Sequence, residues 1–392
     1  MRPDHILAAA AHPDPYPFYA TLRAGPPLVY DAPHKLWIAS SAACVKQVLQ
    51  NPACQVRPAA EPVPLAILGS AAGDVFGHLV RMNEGARHDA PKLALQRFLA
   101  SVDLDRLRQR TQTLAATVLE NALESGAVSG AGLTRWASAV PVMAVADLLG
   151  FEQAELGQVA LWMDDFVACL SPLSSEARLA AAAEAARALL LRFSALVRSA
   201  PATGGSAIAR LQAEAARVGW NNADALLANL VGLLSQTCEA TAGLLGNSIV
   251  ALATQPGLLD TVTRQPGQLP AMVQEVSRHD PSIHNTRRFV AQATQIAGTP
   301  VPAGAVILLL LAAASRDPAA NPQPDDFLLD RAERQTPGFG HGPHQCPGQA
   351  LACTVAAAAL QALLDSGRLQ PAMPRHWQYR PSANARIPVF AD

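Results

Sequence analysis

The chain has 392 residues, half of them apolar, which is enough for a large buried core. Its charge is nearly balanced, 30 Lys plus Arg against 31 Asp plus Glu, which argues against nucleic acid or an anionic membrane as the main partner. Six cysteines (Cys44, Cys54, Cys169, Cys238, Cys346 and Cys353) are scattered with no CxxC pair, which excludes a dense disulfide framework of the secreted type and predicts reduced thiols.

The opening run MRPDHILAAAAHPDPYPFYATLRAGPP has only a short apolar stretch before His12 and its prolines. That is too short for a signal peptide or a membrane anchor, so a soluble, cytoplasmic protein is expected. Strand-like segments follow at 28–40, 287–298, 305–311 and 376–390, and should form small peripheral sheets. Ala/Leu-rich runs with helical periodicity cover 103–125, 132–149, 153–171, 175–199, 206–217 and 223–254, making helix the major element. Length alone suggests two to three domains, but no Ser/Gly-rich linker or internal repeat divides the chain. A single α-rich domain over residues 1–392 is therefore expected. From 315 to 345 the chain carries five prolines and turns irregular, and long ordered loops of this kind are usually functional.

Chemistry concentrates in Phe339-Gly340-His341-Gly342-Pro343-His344-Gln345-Cys346-Pro347-Gly348, followed at once by the helical run QALACTVAAAALQALL. A cysteine at the start of a helix meets unpaired N–H groups and the positive dipole end, both of which favour a thiolate. Pro347 suits the first helical position, and the glycines allow backbone to approach a flat cofactor closely. A glycine-rich turn with an inert cysteine is the bland alternative. A zinc site of His341, His344 and Cys346 lacks the usual paired-ligand spacing. Upstream, Glu275-Val276-Ser277-Arg278 places an acid and a base three apart on one helix face, which by itself is a common surface ion pair.

The cysteine segment resembles that of the cytochrome P450 family, F-G-x-G-x-H-x-C-x-G, with every fixed position filled. Glu275 and Arg278 resemble the family's E-x-x-R pair, Ser315 to Pro318 its N-R-D-P segment, and Phe327 to Arg331 its F-x-x-x-R segment. The resemblance implies the cytochrome P450 fold, a large helical domain with small peripheral β-sheets enclosing a b-type haem, with Cys346 as the iron ligand and Phe339 and Gly348 beside it. It implies propionate partners at His88, Lys92, Arg287 and His344. Lys92 departs from the usual arginine, and Arg288 beside Arg287 leaves open which of the two faces the cofactor. A solvated helix face is the alternative for His88 and Lys92.

In LLANLVGLLSQTCEATAGLLGNSIVAL, aligned on Gly246-Asn247, the resemblance puts Glu239 at the family's acid position. Ala240 stands where the family has a hydroxyl that guides protonation of dioxygen. Thr241 lies about 100° further round the helix, and Thr237, one turn back, is the better stand-in. Three routes stay open: a substrate hydroxyl, water organised by Thr237 and Glu239, or oxygen taken from peroxide. Thr237 and Thr241 simply bonding helix carbonyls is the bland reading.

The implied function is a monooxygenase that hydroxylates a mostly apolar small molecule, in secondary metabolism, with electrons from a ferredoxin or flavodoxin and its reductase. No nucleic acid and no membrane is expected as partner. A peroxide-using peroxygenase and a non-catalytic haem-binding sensor are the alternatives. Substrate contacts are implied at 62–81, 166–180, 229–240, 281–287 and 382–388, with His284, Asn285, Asn384 and Arg386 as groups that could orient a polar or carboxylate substituent, against simple surface exposure.

Overall fold

The computed structural model describes residues 2–121, 129–200, 205–369 and 374–391. Helices dominate, and their starts follow local chemistry. The long central helix Ala223–Thr254 begins where Asn222 accepts the Ala225 N–H at 2.9 Å. Every residue from Thr241 to Leu252 is buried, as expected of a helix apolar all round. Ser129, Ser175 and Ser206 cap the helices Gly130–Leu149, Glu176–Ser199 and Ala207–Arg217 in the same way.

The helix expected at 103–125 runs Leu104–Asn121, its last four positions lying outside the described residues. The one expected at 153–171 is broken into a short 3-10 turn at Gln153–Glu155, a helix Leu156–Phe166 and a second 3-10 turn Val167–Leu170. Glu152 and Glu155 form a reciprocal capping box, which starts the turn there.

Nine short strands sit beside the helices among the described residues: β1 (Leu28–Asp31), β2 (Leu36–Ala39), β3 (Cys54–Gln55), β4 (Thr286–Val290), β5 (Thr294–Ile296), β6 (Thr299–Val301), β7 (Val306–Leu309), β8 (His376–Tyr379) and β9 (Pro388–Ala391). The main sheet has the order β1-β2-β7-β4-β3, with β2 and β7 parallel and the other neighbours antiparallel. The stretch expected as one strand at 287–298 divides into β4 and β5. The chain then reverses at Ala297 and Gly298, both at positive φ (+47° and +78°), to pair β5 with β6.

The helix Leu269–His279 carries the Glu-Arg pair into the interior, where both side chains are fully buried. Glu275 Oε1 accepts from Arg278 Nη2 at 2.6 Å, Arg331 Nε at 3.2 Å and the Leu328 N–H at 3.1 Å, and Oε2 accepts from Arg334 Nε at 3.0 Å. Burial alone would raise the Glu275 pKa, but these donors outweigh it and lower it. Asp317 accepts the Ala42 N–H at 2.8 Å, so the irregular segment is tied to the helix Ala42–Gln50. The helix Gln349–Asp365 and the turn before it make one stretch long and apolar enough to cross a membrane, but Leu351, Val355, Leu360 and Leu363 are spent on core packing.

Candidate active site

Cys346 lies in a turn outside the helix Gln349–Asp365, whose N-cap is Gly348. Pro347 therefore precedes the N-cap rather than occupying the first helical position. Gly340 and Gly342 have φ of +74° and +69°, the left-handed conformations that the loop requires. The Cys346 N–H donates to the Phe339 carbonyl at 2.7 Å, closing the loop between the two residues. Burial pushes the Cys346 thiol up, and the Gly348 N–H and the charge of Lys92 offset this only in part.

His88 is the N-cap of the helix Asp89–Ala100 and Lys92 sits in its first turn, its N–H bonded to the His88 carbonyl at 2.7 Å. Pro91 is thus tolerated, because the N–H it lacks would have had no partner inside the helix. Both side chains are buried, so the solvated-face alternative does not hold. Lys92 Nζ donates to the Gln345 carbonyl in the cysteine loop. The His88 and His344 rings lie 4.2 Å apart, and His344 Nε2 is 3.0 Å from Glu84 Oε2. His341 instead meets Gln50 at 3.0 Å.

β4 decides between the two arginines. Arg287 pairs opposite Leu308 and Arg288 opposite Ile307, so their side chains leave opposite faces of the strand. Arg288 is 6% exposed and within electrostatic reach of Glu84, whereas Arg287 is partly exposed. The geometry therefore groups Arg288, not Arg287, with His88, Lys92 and His344. Glu84 was not singled out in the sequence, and the family pattern around it offers no signal for it.

These residues fit a haem. His88 Nε2 is buried without a partner, and Lys92 and Arg288 bring two further buried cations to the same region. An orphaned donor and two cations are what two buried propionates need. From Thr336 to Gln349 most of the cysteine loop is partly open although it lies between packed elements, as a surface facing a cofactor must be.

On the central helix, Leu233, Gln236, Glu239 and Ala240 are partly or fully exposed, whereas the stretch from Thr241 to Leu252 is buried. The Thr237 hydroxyl donates to the Leu233 carbonyl at 2.8 Å, one turn back. Thr241 is 2% exposed, on the packed side. Glu239 is paired with Arg380, which follows β8. Gln236, one turn before Ala240, sends its amide to the Gly232 carbonyl at 2.9 Å.

The groups expected to orient a substituent are otherwise engaged. Arg386 is 2% exposed and bonds Asp280 together with the carbonyls of Ala10, His12 and Pro13. Tyr16 donates to Asp280 at 2.5 Å, and Tyr19 and His284 meet at 3.1 Å. Asn285 donates to the Ala383 carbonyl at 2.9 Å, and Asn384 is exposed. Arg386, His284 and Asn285 are therefore a brace joining the N-terminal segment, the end of the Glu-Arg helix and the C-terminal strand, and are neither surface groups nor free recognition groups.

A family model described as Cytochrome P450 matches residues 268–378, the Glu-Arg helix through β8. Cytochrome P450 144 of Mycobacterium tuberculosis is 28% identical over 375 residues, 92% of this chain and 84% of that protein. The 6-deoxyerythronolide B hydroxylase of Saccharopolyspora erythraea is 31% identical over 276 residues, 69% of this chain and 66% of that protein. The crystal structure of CalO2 superposes with a TM-score of 0.84 at 25% identity, covering 96% of this chain and 94% of that one. Fold and site together define a haem-thiolate oxidoreductase. The chain belongs to the cytochrome P450 family and is a monooxygenase of small-molecule substrates served by a redox partner.

Proposed function

We propose that this chain, one domain over residues 1–392, is a cytoplasmic monooxygenase that hydroxylates a mostly apolar small molecule of secondary metabolism. It uses haem b, dioxygen and electrons from a separate ferredoxin or flavodoxin with its reductase. The observation that carries this reading is the convergence of Cys346, the orphaned His88 Nε2, Lys92 and Arg288 on one region. The hydroxylase of 6-deoxyerythronolide B among its relatives supports a place in secondary metabolism.

Bound haem supplies the iron that turns the Cys346 thiol into a thiolate and activates dioxygen for insertion into a C–H bond. The chain's own residues hold and insulate that group. Cys346 would hold the iron through its sulfur, at which the Gly348 N–H is directed, with Phe339 closing the loop beside it. His88, Lys92, Arg288 and His344 would hold the propionates, Lys92 as a point charge rather than a fork.

A hydroxyl from the substrate is the favoured proton route. Ala240 has none, the Thr237 hydroxyl is spent on Leu233, and Glu239 is held by Arg380, so none of these three offers a free hydroxyl or acid. The test is the difference spectrum of the reduced, carbon monoxide-bound protein. The long-wavelength Soret band that marks a thiolate ligand is expected, and its absence would overturn the proposal.

A further inference from the structure

Arg81 lies in the 3-10 turn Val80–Met82, directly after the helix Ala71–His78. The turn is clamped to the central helix. Asn229 Oδ1 accepts the Val80 N–H at 2.9 Å, and its amide donates to the His78 carbonyl at 2.9 Å. Leu79 packs so closely that a Cβ on Gly232 would meet its Cδ2 at 2.8 Å. The backbone carrying Arg81 is therefore held in place against the central helix at Asn229 and Gly232.

The Arg81 guanidinium forms no hydrogen bond or ion pair with any described residue, and its Nε is buried without a partner. The charges that act on it are those of Glu239 and Cys169. Burial holds the Cys169 thiol at about 12, so it is neutral at physiological pH. Glu239 is already paired with Arg380. The flanking Leu79 and Val80 belong to a packed apolar cluster. An arginine whose Nε is buried without a partner is unfavourable for the protein without ligand, because a partly desolvated charge needs a counter-charge to offset the loss of water.

We propose that Arg81 is the anchor for a carboxylate at one end of an otherwise apolar substrate. Its planar fork accepts a carboxylate through two parallel N–H···O bonds, with the rest of the molecule lying along the open face of Leu233, Gln236 and Ala240. The inference rests on the monooxygenase reading above and names the substrate class of that site. Stability given up at Arg81 is recovered only when the anion binds, the usual trade between stability and recognition at a site.

The test uses the full-length, haem-loaded protein and isothermal titration calorimetry with two matched pairs of probes: dodecanoate against dodecan-1-ol, and adamantane-1-carboxylate against 1-adamantanol. Wild type should bind at least one carboxylate about ten- to a hundredfold more tightly than its alcohol, as charge-assisted hydrogen bonds provide. Arg81→Met and Arg81→Gln should erase that preference, with a thermal midpoint in the absence of ligand that is unchanged or higher, and Arg81→Lys should retain part of it. No preference in wild type, a preference that survives in both neutral variants, or a lowered midpoint in both would each overturn the proposal. The long-wavelength Soret band, recorded on the same samples, separates this outcome from failure of the haem-thiolate reading.

Discussion

Glu275→Gln removes one negative charge from beneath three arginines without changing side-chain volume. The carboxylate is fully buried, Arg278 is fully buried, and the Arg331 and Arg334 side chains are 6% and 14% exposed, so none of the three can turn to water without moving backbone. Breaking a buried pair from one side costs about 3–5 kcal/mol, because the partner's charge is left desolvated. Here three cations share the acid, while carbonyls of Pro324, Asp326, Pro322, Gln323, Leu328 and Leu329 keep part of their donors satisfied. We expect a loss of about 4 kcal/mol, a large share of the 5–15 kcal/mol that holds a typical domain folded. Arg334→Ala should cost about 1–2 kcal/mol, since that side chain is the most open of the three. Urea unfolding of the haem-loaded proteins at one fixed haem concentration reads both values, because bound cofactor adds to apparent stability. A loss below about 1 kcal/mol for Glu275→Gln would refute the view that this carboxylate is the electrostatic centre of the segment leading to the cysteine loop.

Cys346→Ser should abolish the long-wavelength Soret band of the reduced carbon monoxide complex while leaving the far-ultraviolet dichroism of the helices intact; retention of that band would rule out Cys346 as the axial ligand. Ala240→Thr should change the fraction of consumed electrons that appears in product more than it changes substrate affinity, and unchanged coupling with the true substrate would argue against a substrate hydroxyl in the proton route. His284 is held neutral, its pKa pushed from 6.5 to about 4 by burial first, with Arg386 lowering it and Asp280 opposing the shift. The unfolded chain then binds a proton near pH 6.5 that the folded chain refuses until about pH 4. Stability should therefore fall as pH drops through that window, by up to about 3 kcal/mol from this group. Thermal midpoints of wild type and His284→Gln between pH 7 and pH 4 check it, and an equal slope in both would remove His284 as the cause.

Much of this protein was legible in its residues because the signals were local. Helical periodicity located the helices at 130–149, 176–199, 207–217 and 223–254 within a few residues. The ten residues from Phe339 to Gly348 pointed to a thiolate ligand, since their glycines and cysteine work within one loop. His88 and Lys92 could be named because they match the family resemblance, and the structure places both in the buried interior.

What tertiary structure decided concerns groups far apart in the chain. Strand phase put Arg288 rather than Arg287 beside Glu84, and neighbouring residues on a strand differ by a whole face. Arg334 joined Glu275 across 59 positions of chain, outside any pattern that spacing could show. Arg386 and His284 looked like recognition groups as polar residues near a pocket, and became a brace only once the N-terminal carbonyls reached Arg386. Arg81 is the reverse case, an ordinary cation in sequence that the fold leaves half-buried and unpaired, with its Nε shut off from water. By itself the sequence determined which elements form and which chemistry the cysteine loop can host, because both depend on contacts within a few residues. Which charges are satisfied, and which one waits for a partner, depends on long-range packing that excludes water, and only the folded chain sets that.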